Sequence, residues 1–404
     1  MAPKQLAHEM TYLKEFSPVK MKETKLAFMN STEHVGIVRS VEGNLPNIMT
    51  RISSHTKAIS AVLHTGAARG HRANPVAGLR LQQLYGVPVL MSGLGALVLN
   101  KKEQDLVFNH HRTMIQNLLR LKPNTPQSVC YFLSGSLPAE AILHLRQLSI
   151  LSMIMSAKDS ILNKHGLNAL NSKSSSRSWF HQVRDICLQY QLPHPMTLLH
   201  SSIPKESFRV LARKHVLNYW ELKLRSEAAQ LPSLRYFKPE FMSLTKPHPI
   251  FLSAGSSPYE VTKAHIQALF LSGRYRTEKL CRHWSSNPEG NCLTPHCAPY
   301  GIREDEEHIL LYCPALSETR QRLAKFTLRY AQSVPIIGRI LCTYLQPSNP
   351  MIFQFLLDCS TIPEVIRLVQ EQGKVYLSHL FKVTRTWCYS LHRGRLKILG
   401  RWHT

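Results

Sequence analysis

Cys292, Cys297, His308 and Cys313 stand at the spacing C-x4-C-x10-H-x4-C. No other part of the chain constrains the fold as tightly. Three thiolates and one imidazole form the donor set of a tetrahedral zinc site, and the chain has to turn back on itself for all four to reach one ion. Pro295, Pro299 and Gly301 provide the turns. Asp305, Glu306 and Glu307 put negative charge at the start of a helix that bears His308, where the helix dipole favours it. Residues five apart lie on different faces of an α-helix, so Cys313 is expected at or beyond the helix end, with Pro314 as the stop. Cys281, His283 and His296 are close enough to replace one ligand; the compact spacing favours the four named. Three Cys and one His normally close a site to water, so the expected role of zinc is structural.

The surroundings of this motif are cationic. Lys and Arg number 50 against 25 Asp and Glu, a net charge of +25 with His neutral. An excess of this size draws polyanions and strains a compact chain that has none. The expected partner is RNA, DNA or both, and no membrane. Three clusters are candidate contacts. Arg69, His71 and Arg72 flank Gly70 in a loop; Arg274, Tyr275 and Arg276 alternate charge with a ring; Arg385, Trp387, Arg393 and Arg395 repeat that mixture near the C-terminus. Any one of them is equally well a solvated helix face; their common sign favours the binding reading for the set. Phosphate contact with little base readout is the expectation.

Helical periodicity dominates the rest. Ile48, Ile52, His55, Ile59 and Val62 share one face after Pro46, and Gly66 is a plausible stop. Val107, Met114, Leu118 and Leu121 form a second stripe, and Ile142, Leu145, Leu148 and Leu151 a third after Pro138. Residues 207–228 and 259–271 are helix-like, as are the stripe of Leu316, Leu323, Phe326 and Tyr330 and the segment from Pro335 onward. Only residues 25–28 and 34–38 read as strands. The fold class is therefore mainly α. Pro, Ser and Gly gather over residues 239–258, a composition that suits a linker.

Nine scattered cysteines do not form a disulfide framework, and the first residues lack a signal peptide's apolar core, so an intracellular protein of nucleus or cytoplasm is expected. The longest apolar stretch, residues 87–99, is too short for a bilayer and contains Pro88, Gly93 and Gly95. Metal-assisted phosphoryl chemistry needs clustered carboxylates. The only aspartates are Asp105, Asp159, Asp185, Asp305 and Asp358, and no two are adjacent. His110-His111 is a loose acid–base pair inside an amphipathic stripe.

Several segments together resemble the C-terminal part of the reverse transcriptase of non-LTR (LINE-like, jockey-like) retrotransposons. Lys22-Glu23-Thr24-Lys25-Leu26 is similar to the segment that follows the polymerase's catalytic Asp pair, and Glu33-His34-Val35-Gly36 to the next short strand. Ala67-Ala68-Arg69-Gly70-His71-Arg72, Leu84-Tyr85-Gly86 and Ser134-Gly135-Ser136-Leu137-Pro138 resemble the thumb-side region. Residues 274–314 resemble the zinc-binding region, and Arg385-Thr386-Trp387 onward the terminus. The resemblance implies a polymerase palm end at 1–45, a helical thumb-like region at 46–235, a linker at 236–258, a zinc-binding module at 259–330 and a basic helical segment at 331–404. It also implies that the Asp pair precedes this sequence, so the chain alone is expected to be inactive. Magnesium would enter only with a complete polymerase core. Asp358, Glu364 and Glu371 are the only acids placed for an appended nuclease, which is thin support.

Overall fold

The computed structural model describes residues 20–21, 24–25, 31–34, 37–41, 43–62, 74–157, 160–171, 178–200, 203–283 and 286–400. The expected stop at Gly66 and the loop with Arg69, His71 and Arg72 lie outside them, as do most of residues 22–36 that carry the palm-end resemblance. The described chain is mainly α. Its strands are two antiparallel hairpins, β1 (Lys20–Met21) with β2 (Thr24–Lys25) and β3 (Ser31–His34) with β4 (Ile37–Ser40). In the second, Ser31 faces Ser40 and His34 faces Ile37. No described helix is long and apolar enough to cross a membrane.

Two compact units form. The first takes residues 1–62, 80–112 and 137–220, the second residues 63–79, 113–136 and 221–404. Each unit gathers distant stretches of the chain.

In the first unit, helix α1 (Leu45–Val62) buries Ile48, His55 and Ile59 along one face, as their spacing requires. Ile48 joins Val87, Leu90, Met91, Leu94, Leu99, Val107, Ala139 and Leu143 in one core. Helix α2 (Pro75–Leu81) leads into this core through a π-turn at Gln82–Gly86. Helix α3 (Lys101–Leu119), whose residues from Thr113 onward belong to the second unit, departs from its expected stripe. Val107, His111, Ile115 and Leu119 are buried, a four-residue spacing that rotates the apolar face away from Met114 and Leu118. Helix α4 (Gln127–Ser134) belongs to the second unit. In the first, helix α5 (Ala139–Ser156) is apolar nearly all round and buries Leu143, Leu148 and Leu151.

Further on, helices α6 (Ile161–Asn171), α7 (Trp179–Gln189), α8 (Pro195–His200) and α9 (Lys205–Ala229) follow. Tyr190, just past α7, ties them to α5. Its hydroxyl lies 2.8 Å from His144 Nδ1 and accepts from Trp220 Nε1 at 3.0 Å.

The second unit is built on helix α15 (Val375–Ile398). It packs against α10 (Pro258–Leu271), α11 (Ser317–Ser333), α12 (Pro335–Tyr344), α13 (Ile352–Leu357) and α14 (Pro363–Gln372). The supposed linker at 236–258 belongs to this core. Phe237, Met242, Leu244, His248, Ile250 and Phe251 are buried. Prolines do prevent long helices there, leaving short turns such as Pro239–Phe241 and Pro249–Leu252. The interleaved large apolar residues then bury as each turn folds back. Gly135 shows how closely: it adopts φ +62°, and a Cβ there would lie 2.1 Å from the Lys246 carbonyl carbon.

Candidate metal centre

Residues 287–314 supply the four candidate ligands. A short ladder starts the fold-back: the Cys292 N–H donates to the Ile302 carbonyl at 2.7 Å, and the Glu304 N–H to the Gly290 carbonyl at 2.9 Å. Gly290 makes the approach possible, with φ +70° and the Lys279 Cα only 2.7 Å from where its Cβ would stand. Pro295 sits inside the turn closed by the Cys297 N–H on the Thr294 carbonyl at 2.9 Å. Pro299 and left-handed Gly301 reverse the chain again.

Asp305 then caps a helical turn, its Oδ1 accepting from the His308 N–H at 2.9 Å. From His308 to Tyr312 the helix is a π-turn, and the Cys313 N–H donates to the His308 carbonyl at 2.7 Å. In an α-helix, residues five apart point about 140° away from each other. The i→i+5 bond removes that divergence and puts His308 and Cys313 on the same side. Pro314 follows at the start of a 3-10 turn, as expected of a stop.

The outcome is one buried group. The four ligand atoms lie within 4.8 Å of one another. Cys297 Sγ is 3.6 Å from His308 Nε2 and 3.9 Å from Cys313 Sγ. Tetrahedral zinc, with sulfur at about 2.3 Å and nitrogen at about 2.0 Å, sets its ligands about 3.8 Å (S–S) and about 3.6 Å (S–N) apart. The donor set and its spacing fit such an ion. Cys281, His283 and His296 are not part of the group, and among the described residues no other set of three or more His, Cys, Asp or Glu forms one.

Two neighbours that sequence reasoning missed complete the shell. The Thr294 hydroxyl lies 3.2 Å from Cys292 Sγ and 3.7 Å from Cys313 Sγ. Arg320 donates to the Cys313 carbonyl at 2.6 Å, and its buried Nη1 has no protein partner. Three thiolates around a divalent ion would leave one net negative charge, which this guanidinium is placed to offset. Hydrogen bonding with Cys313, then burial, pushes the Cys292 thiol up to about 12, while the bond from Cys292 holds Cys313 below its ordinary value. Without metal Cys292 thus retains its proton, which a metal would displace on binding.

Helix α15 anchors the metal segment through Arg395. Its Nε and Nη2 donate to the Glu304 carboxylate at 3.0 and 2.6 Å, with both side chains buried. Burial alone would lower the Arg395 guanidinium; Glu304 reverses this and holds it charged. Arg395 was expected at a nucleic-acid backbone, and its place in the interior corrects that reading. The same correction applies to three more residues. Arg385 is buried against Glu260 at 2.6 Å and Ser253, Trp387 donates to Thr327 at 2.9 Å, and Tyr275 stacks on Phe270 with its hydroxyl 2.8 Å from His392 Nδ1. Arg385, Trp387 and Arg395 face inward from α15 and Tyr275 lies just past α10, and each found a partner in the interior. Arg274, Arg276 and Arg393 remain reachable from solvent.

The other chemical candidates are structural. His55 Nδ1 lies 2.8 Å from His110 Nε2, and its Nε2 faces Gln82. Burial, then the neighbouring His110, lowers His55 to about 4, and burial, then His55 and His110, lowers His111 to about 3, so both are neutral packing groups at pH 7. His248 contacts Asp358 at 3.1 Å through Nε2, but its Nδ1 accepts from the Ile250 N–H, which leaves no ring nitrogen for a substrate. Glu364 accepts from the Tyr344 hydroxyl, and Asp358 is buried against His248. Set against models of protein families, curated proteins and solved structures, the chain matches none.

Proposed function

We propose that this chain is a nucleic-acid-binding protein akin to the C-terminal part of a non-LTR retrotransposon reverse transcriptase, folded around one structural zinc ion. The observation that supports it best is the buried, four-donor Cys3His group set in a chain of net charge +25. Cys292, Cys297, His308 and Cys313 would hold the metal, Thr294 would orient two sulfurs and Arg320 would balance the charge. A closed site of this kind contributes folding energy to a segment poor in core of its own. The retroelement part rests on the residues quoted above, the zinc region foremost. Reduced thiols and the absence of a disulfide framework favour an intracellular setting.

Binding would be carried by cations on the surface, Arg274, Arg276 and Arg393 among them, and directed mostly at phosphates. Anisotropy titrations of the zinc-loaded chain with RNA and DNA oligonucleotides across salt test this. A log–log slope of about −0.7 to −0.9 per neutralised phosphate is expected. Salt-independent binding, or none, contradicts it and favours a protein-interaction module. Primer extension with magnesium should yield no product from this chain alone. Product formed only when a polymerase palm is added in trans would instead mark it as part of a divided enzyme.

A further inference from the structure

The second unit contains a cavity of about 560 Å³ beside the metal segment, separate from the four ligands. Its wall carries Arg235, Arg274, Lys279, Arg282 and Arg303, with Glu306 the one carboxylate. Arg235 and Lys279 are paired with Glu307 and Asp305 at 3.0 and 3.4 Å. Among the described residues, no carboxylate lies within ion-pair distance of Arg274, Arg282 or Arg303. The Nε of Arg274 is buried and unpartnered, a position that costs stability unless a ligand supplies an acceptor. Burial accordingly draws the Arg274 guanidinium below its ordinary value. The floor is different in kind. Phe270, Leu271, Phe353 and Leu357 are buried there and Tyr236 stands half-buried in the wall.

A lining that combines cations with buried aromatic and aliphatic side chains matches a ligand with one anionic end and one flat apolar body, and the volume is that of a small-molecule site. We infer that this cavity binds a single phosphorylated nucleoside unit, its phosphate on Arg274, Arg282 and Arg303 and its base over the Tyr236–Phe353 wall. Arginine suits the phosphate because its fork of donors matches phosphate oxygens. The unit is either a free mononucleotide or one nucleotide of a bound strand. The inference deepens the nucleic-acid reading and depends on it only for the second source.

The test uses the full zinc-loaded chain, with AMP as one probe and a fluorescein-labelled 12-nucleotide RNA as the other. Arg274→Gln and Arg303→Gln remove cavity charge; Arg303 is exposed and has no ion-pair partner, so its variant should fold normally. Lys397→Gln, exposed on α15 and outside the cavity, is the control. AMP binding that falls roughly tenfold or more in both cavity variants and not in the control supports the proposal with a free nucleotide as ligand. No AMP binding, with RNA binding weakened by that factor in the cavity variants alone, supports it with a strand as the source. RNA bound equally by wild type and cavity variants, with no AMP binding, overturns the cavity proposal and leaves the nucleic-acid reading standing. AMP bound through Arg274 and Arg303 with no RNA or DNA binding does the reverse, and no binding of any probe overturns both.

Discussion

The backbone N–H of Cys313 donates to the carbonyl of His308 at 2.7 Å, and this one π-type bond decides whether the two residues can share an ion. Inserting one alanine after Leu310 would set the two donors six residues apart, about 120° from each other on a helix, and swing them away from a shared ion. Zinc content measured by atomic emission should drop from about one ion per chain to near none, as it should in Cys297→Ser. Full zinc occupancy in the insertion variant would show that the turn does not matter.

Glu304 and Arg395 form the buried link between the metal segment and α15. Breaking such a pair from one side leaves an uncompensated charge and costs roughly 3–5 kcal/mol. Glu304→Gln and Arg395→Met should each destabilise the protein by that order in chemical denaturation, and the double variant should recover part of the loss. Additive losses would mean the two do not act as a pair.

Legibility varied with the physics of each element. The four candidate metal ligands could be read because cysteine is scarce and its spacing is compact. Helices with one apolar face could be read too, as in α1 with Ile48, His55 and Ile59. The π-turn could not, since residues 308–312 carry no breaker that separates it from an α-turn. The buried roles of Tyr275, Arg385, Trp387 and Arg395 were hidden because each depends on a partner far away in sequence: His392, Glu260, Thr327 and Glu304. The segment 236–258 looked like a linker by composition, and Gly135 and His248 in fact fix it in the core.

Gly135 offers a direct check on that packing. Gly135→Ala meets both a left-handed backbone and the Lys246 carbonyl, so it should destabilise by more than about 1 kcal/mol in denaturant titration. A neutral effect would mean the 246–247 backbone is free to move away.

His55 and His111 are held neutral inside the first unit, at about 4 and about 3, whereas the unfolded chain takes up these protons near pH 6.5. The unfolded state therefore binds more protons below that pH, and stability must fall as pH drops from about 6.5 toward 4. The thermal midpoint should decline over this window, and His111→Leu should flatten the decline. An unchanged slope in the variant would exclude His111 as a source of the acid sensitivity.

The central claim is a closed Cys3His zinc site, and zinc K-edge absorption fine structure on the zinc-loaded protein tests it most directly. Three sulfur neighbours at about 2.3 Å and one nitrogen at about 2.0 Å, with no oxygen shell, are the predicted result. Two or fewer sulfurs, or a bound water, would contradict the site described here.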